Sequence, residues 1–285
     1  MKHFALVGNP NCGKTTLFNV LTGSTARVGN FPGITVDKKT GTYKKLNEKI
    51  SLIDLPGIYS LSPYTPEEVV SRNVILNEHP DCVINIVDVT NLERNLYLTT
   101  QLLEIDVPIV VALNMTDILE KNGDKIFPSL LSEKLGVPVI EVSALKNKNV
   151  NELMSLALKV SNKKREGKIV YDSSSISKLI NTITISFKKE NVPDPLFHAI
   201  KLIESDEIET HEHQNLVSLV EDFKASFNNE IFGNDFEALI ADSRYRVITK
   251  DFSNIIIRNK KNEYGTLSKS DKIDRVLTNK IWAIP

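Results

Sequence analysis

The chain has 285 residues, 41% of them hydrophobic and 25% charged, and a formal net charge of -1. Those proportions suit a soluble globular protein of one or two domains and supply no basic field for nucleic acid. Two cysteines, Cys12 and Cys82, argue against a disulfide framework or a zinc site and fit a reducing compartment, and no apolar run is long enough to span a bilayer.

Met1-Lys2-His3 leads directly into the apolar run Phe4-Ala5-Leu6-Val7, which reads as a strand rather than a signal peptide. Gly8-Asn9-Pro10-Asn11-Cys12-Gly13-Lys14-Thr15 follows, a complete G-x-x-x-x-G-K-[ST] pattern, and Thr16-Leu17-Phe18-Asn19-Val20-Leu21 continues with helical spacing. Strand, loop and helix in that order make a phosphate cradle. The glycines let successive N–H groups point inward, and the helix adds the positive end of its dipole. Lys14 is expected to reach the β- and γ-phosphates, and the Thr15 hydroxyl to bind Mg²⁺.

Gly29-Asn30-Phe31-Pro32-Gly33-Ile34-Thr35 reads as a flexible loop. Thr40 to Leu46 and Lys49 to Leu55 read as a hairpin split at Asn47-Glu48, the second arm ending in Asp54-Leu55-Pro56-Gly57. Thr65 is placed to cap a helix with Pro66 at its first position and Glu67 and Glu68 in its first turn. Further strands are expected at Cys82 to Asp88, Ile109 to Leu113 and Val137 to Val142. Helices are expected through Leu96, Leu102 and Leu103, over Leu130 to Leu135, and over Val150 to Val160. The alternation predicts an α/β fold with a mostly parallel sheet covered on both faces, and such sheets bind ligands at the carboxyl ends of their strands.

Ser161 to Gly167 is charged and reads as a linker. Beyond it, four apolar stripes at helical spacing (Ile176 to Phe187, Leu196 to Ile203, Leu216 to Phe223, Phe236 to Val247) predict a small helical bundle. The expected organisation is a nucleotide-binding domain over 1–163, a linker over 164–170, an all-α domain over 171–268 and a C-terminal segment over 269–285. His211 and His213 flank Glu212, but no third ligand is evident, so a solvated helix start is expected there rather than a metal site.

Four further elements agree with the phosphate loop. Thr35 can give a second hydroxyl to Mg²⁺ and its N–H to the γ-phosphate. Asp54 can hold the metal through water, and the Gly57 N–H can contact the γ-phosphate, which makes the loops of Thr35 and Gly57 candidate switches. Asn114-Met115-Thr116-Asp117 follows a strand, and the Asp117 carboxylate can accept from guanine N1–H and the exocyclic amine. Ser143-Ala144, after the last strand, can present a backbone N–H to guanine O6. The full nucleotide-binding set is thus Gly8 to Thr16, Gly33, Ile34, Thr35, Asp54, Leu55, Pro56, Gly57, Asn114, Met115, Thr116, Asp117, Ser143, Ala144 and Leu145. Asn9, Pro10, Cys12, Gly13 and Thr16 lie within it. Together these predict a P-loop GTPase fold followed by a smaller helical domain, with GTP as substrate.

These motifs, with Val28-Gly29-Asn30-Phe31-Pro32-Gly33-Ile34-Thr35-Val36 and Asp54 through Glu68, closely resemble the translation-factor-like GTPases. Among those they are most similar to the cytosolic part of the ferrous-iron transport protein B family. The resemblance resumes at Ala241 to Arg246 and at Lys272 to Thr278. It implies a helical domain that stabilises the GDP-bound state and a transmembrane transport domain of the same protein as partner. It also implies a place at the cytoplasmic face of the inner membrane, with this stretch as the soluble portion. Iron enters through the resemblance alone. Lys269, Lys272, Arg275 and Lys280 would suit the positive-inside rule beside a membrane. Ile58 stands where small GTPases carry a water-orienting glutamine, so catalysis is expected to lean on Lys14, Thr35, Gly57 and a K⁺ ion held by the Asn11 amide, as in related potassium-activated GTPases. Slow turnover is expected, a homo-oligomer is compatible, and no nucleic-acid partner is expected. Two alternatives are a free cytosolic GTPase of ribosome assembly or tRNA modification and a guanine-nucleotide sensor with negligible turnover.

Overall fold

A computed structural model describes residues 1–23, 26–31, 35–227 and 229–259. Gly33, Ile34 and the 269–285 segment with Lys269, Lys272, Arg275 and Lys280 lie outside the described residues. A seven-stranded sheet runs β2-β3-β4-β1-β5-β6-β8. Its members are β1 (Lys2–Gly8), β2 (Arg27–Asn30), β3 (Asp37–Tyr43), β4 (Ile50–Asp54), β5 (Cys82–Asp88), β6 (Ile109–Asn114) and β8 (Val139–Glu141). Pairing is parallel from β4 through β1, β5 and β6 to β8, and antiparallel where β3 joins β4 and β2 joins β3.

The central strands are continuous apolar runs because both of their faces are covered. Along β1, Phe4 and Leu6 face one cluster with α1 (Lys14–Thr22) and α6 (Val150–Val160), while Ala5 and Val7 face the other. That second cluster draws on α2 (Pro66–Asn77), α3 (Leu92–Leu102) and α5 (Pro128–Leu135). The period-two alternation of a strand divides one run between two cores. Thr65 caps α2 with a full capping box, its hydroxyl accepting from the Glu68 N–H at 3.2 Å while Glu68 Oε2 accepts from the Thr65 N–H at 3.2 Å.

Two pairings carry little sequence signal. Arg27–Asn30, part of which reads as loop from sequence, is an edge strand with every residue exposed, so no apolar alternation marks it. The two-residue strand β7 (Lys125–Ile126) pairs antiparallel with β9 (Ile256–Ile257), which brings the far end of the helical half back onto the sheet half.

The helical half comprises α7 (Ser177–Lys189), α8 (Pro195–Ile203), α9 (Glu207–Glu212), α10 (Gln214–Ser226) and α11 (Phe236–Asp251). The expected stripes form its core, with Ile183, Phe187, Ala199, Ile200, Val220, Phe236 and Ile240 all buried. The charged stretch before it is anchored rather than free. Arg165 donates to the Leu103 and Ile105 carbonyls, and the Gly167 N–H donates to Asp106 Oδ1 at 2.7 Å.

The halves meet over apolar and ionic contacts. Phe197, Ile248, Phe252 and Ile255 join the core beneath α2 and α3. Arg244, fully buried on α11, pairs with buried Glu104 at 2.7 Å and with Glu204 at 3.4 Å. Burial opposes the Arg244 charge, but Glu104, Tyr171 and Glu204 outweigh it and raise its pKa above the usual guanidinium range. Removing one partner of such a pair strands the other charge. Arg244→Ala should therefore cost about 3–5 kcal/mol in urea unfolding, and an apolar replacement of both Arg244 and Glu104 should recover most of that loss.

Candidate nucleotide site

The loop from Gly8 to Thr15 connects the carboxyl end of β1 to α1. Two of its residues take left-handed backbone, Asn11 at φ 65° and Gly13 at φ 85°. A side chain on Gly13 would also come within 2.2 Å of Asn114 Nδ2, so conformation and space both require glycine there. The Leu17 N–H donates to the Gly13 carbonyl at 3.0 Å and starts the helix.

Lys14 and Thr15 converge on Asp54 at the end of β4. Lys14 Nζ lies 2.6 Å from Asp54 Oδ1, and the Thr15 hydroxyl donates to Oδ2 at 3.0 Å, with the lysine and carboxylate both nearly closed to solvent. The lysine expected at phosphate oxygens thus rests on the carboxylate expected near Mg²⁺. A hydroxyl and a carboxylate side by side are oxygen donors of the kind that a hard divalent cation takes.

The Asp54–Gly57 stretch is pinned to the phosphate loop by backbone. The Leu55 N–H donates to the Leu6 carbonyl at 3.1 Å and the Ile58 N–H to the Gly8 carbonyl at 3.2 Å. Gly57 packs so closely that a Cβ there would lie 3.0 Å from Pro10 Cα. Ile58 is buried in the core, consistent with a residue that cannot orient water. One cleft of about 520 Å³ is lined by Asn9, Pro10, Asn11, Gly13, Lys14, Thr15, Thr16, Gly57 and Met115. A neighbouring cleft of about 410 Å³ brings Thr35 together with Lys14, Thr15, Asp54, Leu55, Pro56, Gly57 and Glu67. Cys12 is buried, and burial pushes its thiol up to about 11, so it is a packing group rather than a nucleophile at neutral pH.

Asn114 joins the phosphate loop to the loops after β6 and β8. Its Nδ2 donates to the Cys12 carbonyl at 2.9 Å, and its Oδ1 accepts from the Ala144 N–H at 3.0 Å. Of the Ser143-Ala144 pair expected to offer a backbone N–H to guanine O6, Ala144 is thereby engaged and the Ser143 N–H donates to the Lys148 carbonyl at 3.2 Å, which leaves exposed Leu145 as the next residue of that loop. Met115, at φ 66°, turns the chain into α4 (Thr116–Asn122). The Thr116 hydroxyl donates to the Val142 carbonyl at 3.1 Å and the Ser143 hydroxyl to Asp117 Oδ1 at 2.9 Å, which fixes the carboxylate from one side.

Sequence reading missed the clamp on α2 and the segment before it. Lys201 Nζ donates to the Ser62 hydroxyl at 3.1 Å, and Tyr64 hydrogen-bonds Glu237. Arg72 pairs with Asp206 at 2.7 Å and Glu209 at 2.5 Å. Single charged residues far apart in sequence give no local pattern from which to pair them. The expected His211–His213 reading is also corrected. His211 is exposed, whereas His213 turns to Glu209 and His198.

A mostly parallel sheet with this loop at the end of its first strand, followed by a helical domain, is the P-loop GTPase fold with an appended helical unit. The profile described as ferrous iron transport protein B matches residues 2–157, and that of the FeoB cytosolic helical domain matches 173–254. The chain belongs to the ferrous iron transport protein B family. It is 36% identical over 297 aligned residues to an Fe(2+) transport protein A/Fe(2+) transporter FeoB fusion protein of Porphyromonas gingivalis, covering 99% of this chain and 35% of that one. The chain spans about a third of the length of the curated relatives that it matches end to end. A GDP-bound mutant of the S. thermophilus FeoB G-domain superposes with a TM-score of 0.77 at 38% identity, covering 90% of this chain and 100% of that one. The cytosolic domain of the T. maritima FeoB iron transporter in GMPPNP form gives 0.79 at 29% identity, covering 90% and 100%.

The brace at Asn114 has a measurable cost. Asn114→Ala leaves a buried carbonyl and a buried N–H without partners, so it should lower stability by about 2–4 kcal/mol in chemical denaturation.

Proposed function

We propose that this chain binds guanine nucleotide with Mg²⁺ and hydrolyses GTP slowly, as the nucleotide-responsive part of a ferrous-iron transporter at the cytoplasmic membrane face. The observation that carries this reading is the Asn114 bridge, which holds a phosphate loop and a carboxylate-bearing base loop in one site. In this reading residues 1–163 are the nucleotide-binding unit, 171–268 the helical regulatory unit and 164–170 the junction. The GDP and GMPPNP forms of similar proteins support nucleotide binding here. Among the described residues no helix is long and apolar enough to cross a membrane, so the membrane part of the proposal rests on the relatives.

Each residue has a role that its position supports. Lys14 exchanges Asp54 for phosphate oxygens, and backbone N–H groups of Gly8 to Thr16 neutralise phosphate charge. Thr15 and Thr35 would hold Mg²⁺ through their hydroxyls, with Asp54 acting through water. Bound there, Mg²⁺ would supply positive charge against the charge that develops on the phosphates as the terminal bond breaks. Gly57 presents its N–H to the γ-phosphate. Asp117 accepts from the guanine N1–H and amine, and the Leu145 N–H meets O6. Asn11 lines the phosphate cleft beside Gly57 and offers an amide oxygen of the kind that K⁺ takes. A K⁺ ion there would add positive charge where other GTPases place an arginine finger.

Two measurements test these assignments. Asp117→Asn should weaken GDP and strengthen xanthosine diphosphate in fluorescent-analogue titrations, because the amide offers a donor where the carboxylate accepted. Asp117→Ala should weaken GDP by roughly 10³–10⁴-fold. Phosphate release from GTP should run faster in K⁺ than in Na⁺ at equal ionic strength, by up to about 10³-fold, the lower end of an arginine finger's contribution. Asn11→Ala should erase the difference while GDP affinity holds, and equal wild-type rates in both salts would return Asn11 to a role in the loop turn.

A further inference from the structure

Three metal-ligating side chains outside the nucleotide cleft, His198, Glu209 and His213, converge in the helical half with their ligand atoms within 4.8 Å of one another. Local rules place each of them. His198 lies on α8, beside Phe197 and Ala199, which face the cores. Asp206 caps α9, its Oδ1 accepting from the Ile208 and Glu209 N–H groups at 3.1 and 3.4 Å, and so sets Glu209 at the third helical position. His213 follows four residues later, one turn on, and returns to the same face.

The Glu209 carboxylate lies between the two imidazoles. His198 Nδ1 lies 2.8 Å from Glu209 Oε1 and 2.9 Å from Oε2. His213 Nε2 stands 3.5 Å from Oε2, beyond a strong hydrogen bond. With metal–ligand bonds of about 2.0–2.2 Å, neighbouring donors in a tetrahedral or octahedral shell lie about 2.9–3.5 Å apart.

The surroundings fit as well. Arg72 Nη2 takes Glu209 Oε1 at 2.5 Å, an outer partner that orients the carboxylate and leaves Oε2 to ligate. Phe187 lies against both imidazoles, with ring centres 6.2 and 4.7 Å away, and supplies an apolar wall. Glu209 is fully buried, whereas both imidazoles keep some exposure, so the group opens to solvent on the histidine side.

We propose that His198 Nδ1, Glu209 Oε2 and His213 Nε2 form a binding site for a divalent first-row transition-metal ion. Two imidazoles and one carboxylate select Fe²⁺, Co²⁺ or Zn²⁺ over Mg²⁺ and leave positions open to water. The proposal goes beyond the nucleotide reading and does not depend on it. Because Arg72 comes from α2, the site shares its carboxylate with an ion pair that ties the helical half to the sheet half.

The test is titration of the purified chain, with Mg²⁺ saturating, by Zn²⁺ calorimetrically, by Co²⁺ in the visible and by Fe²⁺ under anaerobic conditions. One equivalent should bind, with Co²⁺ giving d–d bands that report imidazole ligation. His198→Ala and His213→Ala should each weaken binding at least tenfold at unchanged metal-free melting temperature, and His211→Ala should leave it unchanged. Absence of stoichiometric binding or of the d–d bands in the wild-type chain would overturn the site however the variants fold. So would wild-type affinity in both histidine variants.

Discussion

Asn114 is the residue on which the two halves of the nucleotide cleft depend. Its amide donates to the phosphate loop and accepts from the loop after β8, so the left-handed turn at Gly13 and the loop carrying Ser143 share one buried side chain. A buried amide with donor and acceptor both paired is fixed in orientation, because rotating it by half a turn breaks both bonds. Gly13 completes the fit, since any larger residue would occupy the space of Asn114 Nδ2. Without this brace the strand ends would still lie side by side, but the distance between phosphate cradle and base loop would be set by exposed loops.

The helical half is built onto the segment that runs from Asp54 into α2. Lys201 reaches Ser62, Tyr64 reaches Glu237, and Arg72 is held by Asp206 and Glu209. These contacts lie on the segment that follows Gly57, and of them the Arg72 pairs are buried charges that are costly to separate. The β7–β9 pairing and the Phe252–Ile255 corner tie the opposite end of the helical half to the sheet half. A regulatory reading of the helical half thus has a physical basis in the contacts it makes at Ser62, Tyr64 and Arg72, in the segment that follows the candidate switch at Gly57.

What could be read from the sequence followed the strength of local periodicity. Cys82–Asp88 and Val150–Val160 were legible to the residue, because one is a doubly buried strand and the other an amphipathic helix. The Thr65 cap was legible because its chemistry spans four residues. The edge strand Arg27–Asn30 was not, since an exposed strand has no apolar face to betray it, and the two-residue β7 and β9 are too short to show a period. In the site, the contiguous loops around Gly8, Asp54 and Asn114 were readable as motifs. The engagement of the Ala144 N–H by Asn114, the Lys14–Asp54 pair and the meeting of His198 with His213 arise from tertiary placement, which no local pattern encodes.

The central claim is that the braced cleft is specific for guanine. Equilibrium titration of the wild-type chain with fluorescent GDP and ADP in Mg²⁺ tests it most directly. A base loop built to accept from guanine donors should hold GDP tighter than ADP by roughly 10⁴-fold or more. Comparable affinity for the two nucleotides would contradict it.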